Sequence, residues 1–441
     1  MALKGLDIFK LTPKTNCKEC GNPTCMAFAM KVAQGSVKIE ACPHMSADAL
    51  AKLSEATAPP MKTITVGKGD AEHKMGGETV LFRHDKTFVS KSLFGVNVCA
   101  DCFDEKIKEI EKVDYERIGE RMYAEVLNLE YKDKDSYVEL VKKAQGHGRV
   151  LVLDCKDTEG ACAALDVCAA DKPILNGATP ENYKEMVEIA KKYDVVLGVS
   201  APDLDSLYDT TAAIEALGDK NLVLDVTGNS IKEAYGNAIQ VRRAAIKNQD
   251  RTFGYPSIVN TAKVAAGDTA MQTALASMFV IKYGSIIIMD SMTYAQALPL
   301  YGLRQNIFTD PQKPMKVNPG IYPLNGADEN SVCVTTVDFA LTYFLVSGEL
   351  ERSAVPCNLL ISDAGGYSVL TAWAAGKFSA GSISKFIKEF DIENKIKSRI
   401  LIIPGKAAVL KGELEEKLPD WTIVVAPNEA TGLVKFMKAY K

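Results

Sequence analysis

Between residues 62 and 315, short runs of apolar and β-branched residues alternate with charged segments whose apolar positions recur at helical spacing. The runs are TVLFRH, FGVNVCA, MYAEVLNL, VLVLDC, PILNGA, VVLGVS, NLVLDVT, TFGYPSIV and SIIIMDS, and patterns such as DEKIKEIEKV and ENYKEMVEIAKKY stand between many of them. A short apolar run with polar flanks suits a strand covered on both faces, as parallel strands joined by helices are. The pattern therefore predicts an α/β protein with a central (β/α)8 TIM barrel over residues 58–315. Nine runs are one more than the barrel needs, with TFGYPSIV or FGVNVCA as the candidate loop or preliminary strand.

TDPQKPMKVNPGIYPLNG, residues 309–326, holds four prolines and two glycines and reads as a boundary. Beyond it SVCVTTVDF, NLLISDAGGYS, SRILIIPGKAA and WTIVVAPNEATG each look like a strand, a small-residue loop and a helix start. Four such units predict a flavodoxin-like, doubly wound domain over residues 325–441. Ligands of such sheets bind beyond the carboxyl ends of the strands. Four loops meet that condition: Thr335–Thr336, Asp363–Thr371, Pro404–Val409 and Pro427–Gly432. Gly365 and Gly366 permit close backbone approach, and Tyr367, Ser368 and Thr371 offer hydroxyls. Any one loop alone reads as a helix cap, but four on one edge suit a large amide-studded or phosphate-bearing ligand. Neither G-x-G-x-x-G nor G-x4-G-K-[ST] occurs on them, which counts against dinucleotide and P-loop chemistry. The histidines are His44, His73, His84 and His147, so the terminal domain has no imidazole to offer a metal.

The N-terminal region, residues 1–57, carries Cys17, Cys20, Cys25 and Cys42 in the spacing C-x2-C-x4-C-x16-C, ending in Cys-Pro. Four thiolates saturate a 4Fe-4S cluster, and the last ligand is followed by proline as in bacterial ferredoxins. A four-cysteine zinc site is the competitor, but zinc modules favour two close knuckles, and here the second pair is split by sixteen residues. Four ligands leave no iron open, which favours electron transfer over Lewis-acid catalysis. Gly21, Ala27 and Ala41 would let backbone N–H groups approach the sulfurs. The helical stretch PTCMAFAMKVAQG is expected to stop at Gly35, and SEATAPPMKT to act as a linker.

Composition narrows the partners. A chain of 441 residues suggests several domains, and a net charge of -4 with 24% charged residues argues against nucleic-acid or membrane-surface binding. MALKGLDIFK holds no apolar leader core, so a cytoplasmic location is expected. Eleven cysteines, an odd count, fit free thiols or metal ligands in a reducing compartment, and weakly an anaerobe. Cys99 and Cys102 form an isolated C-x2-C, a redox pair or half a metal site at most, and are expected to be ordinary thiols. Cys155, Cys162, Cys168, Cys333 and Cys357 are expected to pack as small apolar residues.

A cluster domain, a barrel and a small terminal α/β domain in this order, with GNPTCMAFA around Cys25, resemble the large (gamma) subunits of the corrinoid iron–sulfur proteins of the reductive acetyl-CoA pathway. The resemblance covers the whole chain. It implies a heterodimer with a small TIM-barrel subunit and a cobamide held at their interface. It also implies methyl carriage: from methyltetrahydrofolate, through a methyltransferase, to Co(I), then from methyl-Co(III) to acetyl-CoA synthase/CO dehydrogenase. The cluster would reduce Co(II), with a ferredoxin or reductive activator as electron source. Cys17, Cys20, Cys25 and Cys42 carry over as cluster ligands; corrinoid contacts at Thr336, Gly366, Tyr367, Ser368, Thr371, Gly405, Ala407, Ala408 and Asn428 follow from loop position. The chain departs from corrinoid domains with D-x-H-x-x-G, which fits a carrier whose cobalt must be reduced without first breaking a protein bond. Asp154, Asn176, Ser200 and Asp225 lie near strand C-terminal ends, where barrel enzymes keep catalytic groups. A carrier whose chemistry happens at partner enzymes needs none of its own, so a scaffold and docking role is expected. Two rival functions stay open: an iron–sulfur/flavin electron-transfer protein, and a non-catalytic assembly subunit.

Overall fold

The computed structural model describes residues 5–33, 36–46, 49–50, 59–281, 284–310 and 315–440. Gly35, residues 54–58 of the SEATAPPMKT segment and residues 311–314 of the proline-rich boundary lie outside the described residues. Chain contacts define two units, Met1–Val113 with Tyr123–Phe308 and Asp114–Met122 with Thr309–Lys441.

The first unit opens with helices Gly5–Leu11 and Cys25–Ala33 and a 3-10 turn Ile39–Ala41, whose apolar faces meet through Ile8, Phe28, Val32, Ile39 and Cys42. An antiparallel hairpin of β1 (Thr63–Val66) and β2 (His73–Gly76) comes next. The barrel begins with β3 (Leu93–Val98); β4 (Tyr115–Arg117) and β5 (Glu120–Met122) then form a hairpin that belongs to the second unit. The barrel continues with β6 (Val126–Glu130), β7 (Val150–Asp154), β8 (Ile174–Ala178), β9 (Val196–Ser200), β10 (Leu222–Asp225), β11 (Ser257–Asn260) and β12 (Ile286–Met289). These eight parallel strands close through the pairing of β12 with β3, so the expected barrel is present.

The surplus run is TVLFRH, not either of the two suspected. FGVNVCA and TFGYPSIV supply β3 and β11, whereas residues 79–84 form no strand. Arg83 there donates to the carbonyls of Asn306 and Ile307 at 2.9 Å, and Phe82 is half exposed, so the run has no sheet face to bury. The hairpin performs a different task. Ile64, Val66 and Met75 pack against Leu93, Val126, Val150, Ile174, Val196, Val223, Ile258 and Ile286, near the strand starts, and plug the N-terminal end. Each such buried side chain contributes roughly 1.5–3 kcal/mol, and the carboxyl ends are left as the open mouth.

The second unit's sheet has the order β13-β15-β14-β16-β17, from Gly320–Leu324, Val332–Val337, Cys357–Ser362, Ile400–Ile403 and Thr422–Val425 in chain order. The last four strands are the four expected ones and run parallel. β13 arises inside the segment read as a boundary and pairs antiparallel with β15. Its Pro323 is tolerated because an edge strand can lack one ladder donor. Helices cover both faces: Ala340–Ser353 and Leu433–Met437 lie over one apolar cluster, Ala380–Glu389 and Lys411–Lys417 over the other. The order in which parallel strands are added reverses between β14 and β16, the switch point where such sheets open a crevice.

Candidate functional site

The cysteine loop is shaped by left-handed residues. Asn16, Lys18 and Gly21 have φ of 49°, 67° and 72°, an alternation that turns amide N–H groups inward. The Asn16 N–H donates to Cys25 Sγ at 3.4 Å, while its side-chain oxygen accepts from the Cys25 N–H at 2.8 Å. Asn22, 3% exposed, donates from Nδ2 to the Cys20 carbonyl at 3.0 Å and toward Cys20 Sγ at 3.6 Å. Cys25 and Cys42 are buried, Cys20 is half-buried and Cys17 is exposed, and all four are free thiols. Soft thiolates with amide N–H groups directed at two sulfurs fit an iron–sulfur cluster, whose charge those donors offset. Spacing alone does not reveal Asn16 and Asn22; their signal is only that asparagine tolerates positive φ and can reach a neighbouring thiolate. His44 pairs with Glu19 at 2.8 Å, and their ligand atoms lie within 4.8 Å of Cys17 Sγ and of each other.

In the second unit a cleft of about 270 Å³ opens at the carboxyl ends of β14, β16 and β17. Of the nine residues chosen by loop position, Thr336, Ser368, Gly405 and Asn428 line it. Gly366 and Tyr367, on the same loop as Ser368, and Thr371, in the helix Val369–Ala374 that follows it, do not line the cleft; Ser368 Oγ and Thr371 Oγ1 are 3.0 Å apart, and Lys377 stands over the Tyr367 ring. The Gly366 N–H does not face outward. It donates to Asp338 Oδ1 at 2.9 Å, beside the Ala364 N–H at 3.0 Å. Ala407 is fully buried in the hydrophobic core, and Ala408 is exposed away from the cleft.

Loop reasoning reached the floor of the cleft but missed one wall. Thr335 and Thr336 are each 1% exposed, and their hydroxyls have no hydrogen-bond partner among the described residues. Thr342, Leu345 and Val346 supply a helical wall, and their i, i+3, i+4 spacing was a usable signal. Leu345 and Leu370 stay 55% and 49% exposed at this cleft, an apolar lip of the kind that marks binding surfaces. Buried hydroxyls below an apolar lip fit a wide, flat ligand with polar arms.

Asp154, Asn176, Ser200 and Asp225 line a separate cleft at the mouth of the barrel. Cys99 and Cys102, expected as free thiols, are joined in a disulfide just after β3, their Cα atoms 5.3 Å apart and within bridging reach. Cys155, Cys168, Cys333 and Cys357 are buried as expected, and burial pushes the Cys155, Cys168 and Cys333 thiols up to about 12.

Comparison with known proteins decides the family. The corrinoid/iron-sulfur protein large subunit of Moorella thermoacetica is 38% identical over 100% of this chain and 99% of its own length. The chain belongs to this family of large subunits. The family profile described as CO dehydrogenase/acetyl-CoA synthase delta subunit matches residues 63–437, and one described as a putative Fe-S cluster matches residues 13–44. Other large-subunit relatives are acetyl-CoA decarbonylase/synthase complex subunits gamma. That of Methanopyrus kandleri is 34% identical over 99% of this chain and 97% of its own. That of Archaeoglobus fulgidus is 34% identical over 96% of each.

Proposed function

We propose that this chain carries a methyl group on a bound corrinoid and keeps that corrinoid active with an iron–sulfur cluster. The observation that carries the reading is a histidine-free cleft at the switch point of the terminal sheet, in the same chain as a thiolate cage with amide donors. The relatives' names, corrinoid/iron-sulfur protein and acetyl-CoA decarbonylase/synthase subunit, support it.

Cys17, Cys20, Cys25 and Cys42 would hold the 4Fe-4S cluster, with Asn16 and Asn22 offsetting sulfur charge. Thr336, Ser368, Gly405 and Asn428 would meet the corrinoid at the cleft. Thr335 and Thr336 would give their unpartnered hydroxyls to its polar arms, and Leu345 and Leu370 would cover its apolar edge. When bound, the corrinoid supplies the cobalt that accepts and releases methyl. With no histidine beyond residue 147, this chain adds no imidazole that reduction of the cobalt would have to expel.

The methyl group would come from methyltetrahydrofolate through a methyltransferase and pass to acetyl-CoA synthase, with a small TIM-barrel subunit as the constant partner and a ferredoxin or reductive activator feeding the cluster. Three domains, 1–57, 58–315 and 325–441, would divide cluster, docking and corrinoid work. Among the described residues no helix is long and apolar enough to cross a membrane.

Anaerobic purification with the partner subunit, followed by metal analysis and visible spectroscopy, tests the reading. The expected result is about four irons and one cobalt per heterodimer. Flavin bands without cobalt, or zinc in place of iron, would refute it.

A further inference from the structure

One pair of cysteines stands apart from the chain's other thiols. Cys17, Cys20, Cys25 and Cys42 form the cysteine loop, Cys155, Cys168, Cys333 and Cys357 are buried, and Cys162 is free. Cys99 and Cys102 alone are bonded to each other, and both are half-buried just after β3, within reach of an incoming thiol. Only two residues separate them. A loop that short restrains little of the unfolded chain, because the stabilisation a disulfide brings grows with the length of the loop it closes. As a staple the bond achieves little. Among the described residues no histidine or carboxylate joins the pair in a group close enough to hold a metal ion, which leaves redox chemistry as the use of two adjacent sulfurs.

The surroundings distinguish the two sulfurs. Cys102 caps the helix Phe103–Glu111, and its carbonyl accepts from the Lys106 N–H at 3.1 Å. The Cys99 N–H donates to Cys102 Sγ at 2.9 Å. A sulfur at a helix start with an amide N–H directed at it carries negative charge more readily, so Cys102 is the better leaving group. The Cys99 carbonyl, 3.5 Å from Cys102 Sγ, can accept the S–H once that sulfur takes up a proton. Asp101, Asp104 and Glu105 are exposed beside the pair, and Lys132 offsets only Asp101, at 3.3 Å. The approach is therefore negative, which disfavours an anionic monothiol such as glutathione against an uncharged dithiol.

We propose that Cys99 and Cys102 are a thiol–disulfide exchange site whose reaction partner is a dithiol. One thiolate of the dithiol attacks Cys99 Sγ, the Cys99–Cys102 bond breaks, and Cys102 leaves as a thiolate. The second thiolate of the dithiol then attacks the dithiol's own sulfur in the mixed disulfide and releases Cys99. The pair becomes two thiols with two electrons and two protons from the dithiol, which ends as a disulfide; oxidation is the reverse. The bond ties the end of β3 to the following helix, and both hold Asp290: Asn97 Nδ2 donates to its Oδ1 at 3.2 Å and Lys106 Nζ to its carbonyl. Reduction frees the turn between these two holds.

The test uses the full-length protein, purified anaerobically with its partner subunit. It is reduced with dithiothreitol and, after removal of the reductant, reoxidised with hydroxyethyl disulfide, with alkylation and peptide mass spectrometry at each stage. The Cys99–Cys102 peptide should gain two alkyl groups on reduction and lose both on reoxidation, while the circular dichroism spectrum is kept. Glutathione at equal thiol concentration should reduce the pair at least tenfold more slowly than dithiothreitol. A thioredoxin-type protein left with only its attacking thiol should become linked to Cys99. Iron and cobalt contents should stay constant, because neither cysteine belongs to the cysteine loop or lines the terminal cleft. A pair that stays bonded in excess dithiothreitol, a bond that does not re-form, linkage through Cys102, or glutathione as fast as dithiothreitol would overturn the proposal. So would a reduced protein that unfolds, since the bond would then be a staple.

Discussion

Asp338 offers the sharpest test of how the terminal cleft is built. It follows β14, is fully buried, and accepts from the N–H groups of Ala364 and Gly366 through a single oxygen, Oδ1. Both glycines of that loop have positive φ, 68° at Gly365 and 78° at Gly366, so the turn depends on what holds it. Lys316 stands 3.8 Å from Asp338 Oδ2 and 3.6 Å from Asp363. Hydrogen bonds to a charged acceptor contribute about 1.5–3 kcal/mol each, so Asp338→Ala should cost about 3–5 kcal/mol in that unit, leaving two buried N–H groups unmatched. Asp338→Asn keeps an acceptor at the same place and should cost about 1 kcal/mol. Burial pushes the Asp338 carboxyl above the usual carboxylate range, the backbone bonds opposing this only in part. A carboxyl raised in the folded state binds more protons folded than unfolded. Its contribution to stability is complete below its ordinary value and declines as pH rises through the folded one. Urea unfolding of wild type and Asp338→Asn between pH 3.5 and 7 reads this difference. The wild type should lose ground to the variant as pH rises. Cobalt retention should fall in Asp338→Ala more than in Asp338→Asn. Equal stability and equal cobalt retention for all three proteins would show that the loop does not depend on this carboxylate.

Three further outcomes are expected. Glu125→Ala should destabilise the barrel by about 3–5 kcal/mol in thermal or urea unfolding, because Arg304, 2% exposed and 2.6 Å from Glu125, would lose the carboxylate that neutralises its buried charge. Asn22→Leu removes the donor 3.6 Å from Cys20 Sγ and should make the cluster harder to reduce in an anaerobic redox titration, with iron content kept. Cys20→Ala should lower iron content and abolish reduction of the cobalt while heterodimer assembly persists; intact reduction would show that the cluster is only structural.

What the sequence disclosed follows from where the information is local. Strands buried on both faces announce themselves as apolar runs, so all eight barrel strands and the four parallel strands of the terminal sheet were legible. TVLFRH has the same composition but no place in a ladder, and composition cannot tell whether a partner strand exists. β13 stayed hidden because Pro319 and Pro323 read as loop, yet at an edge the missing N–H breaks no pairing. In the cluster region the cysteines were visible by spacing, whereas the roles of Asn16 and Asn22 depend on folding a loop back by nine residues and by two. Loop logic found Thr336, Ser368, Gly405 and Asn428 at the cleft but placed Ala407 there too, because alternation into and out of a 3-10 turn is not readable without the turn.

The two clefts differ in what their walls leave unmet, and that difference separates their ligands. The terminal cleft has hydroxyls at its floor, which can donate or accept, under leucines that stay exposed. Such a surface tolerates a broad ring with varied polar arms and gains from covering apolar area. The barrel mouth is lined by carboxylates, the Asn176 amide and a lysine already paired with Asp154, and it offers little apolar cover. Saturating the first cleft should therefore protect its leucine lip from solvent and raise stability in proportion to ligand excess over Kd.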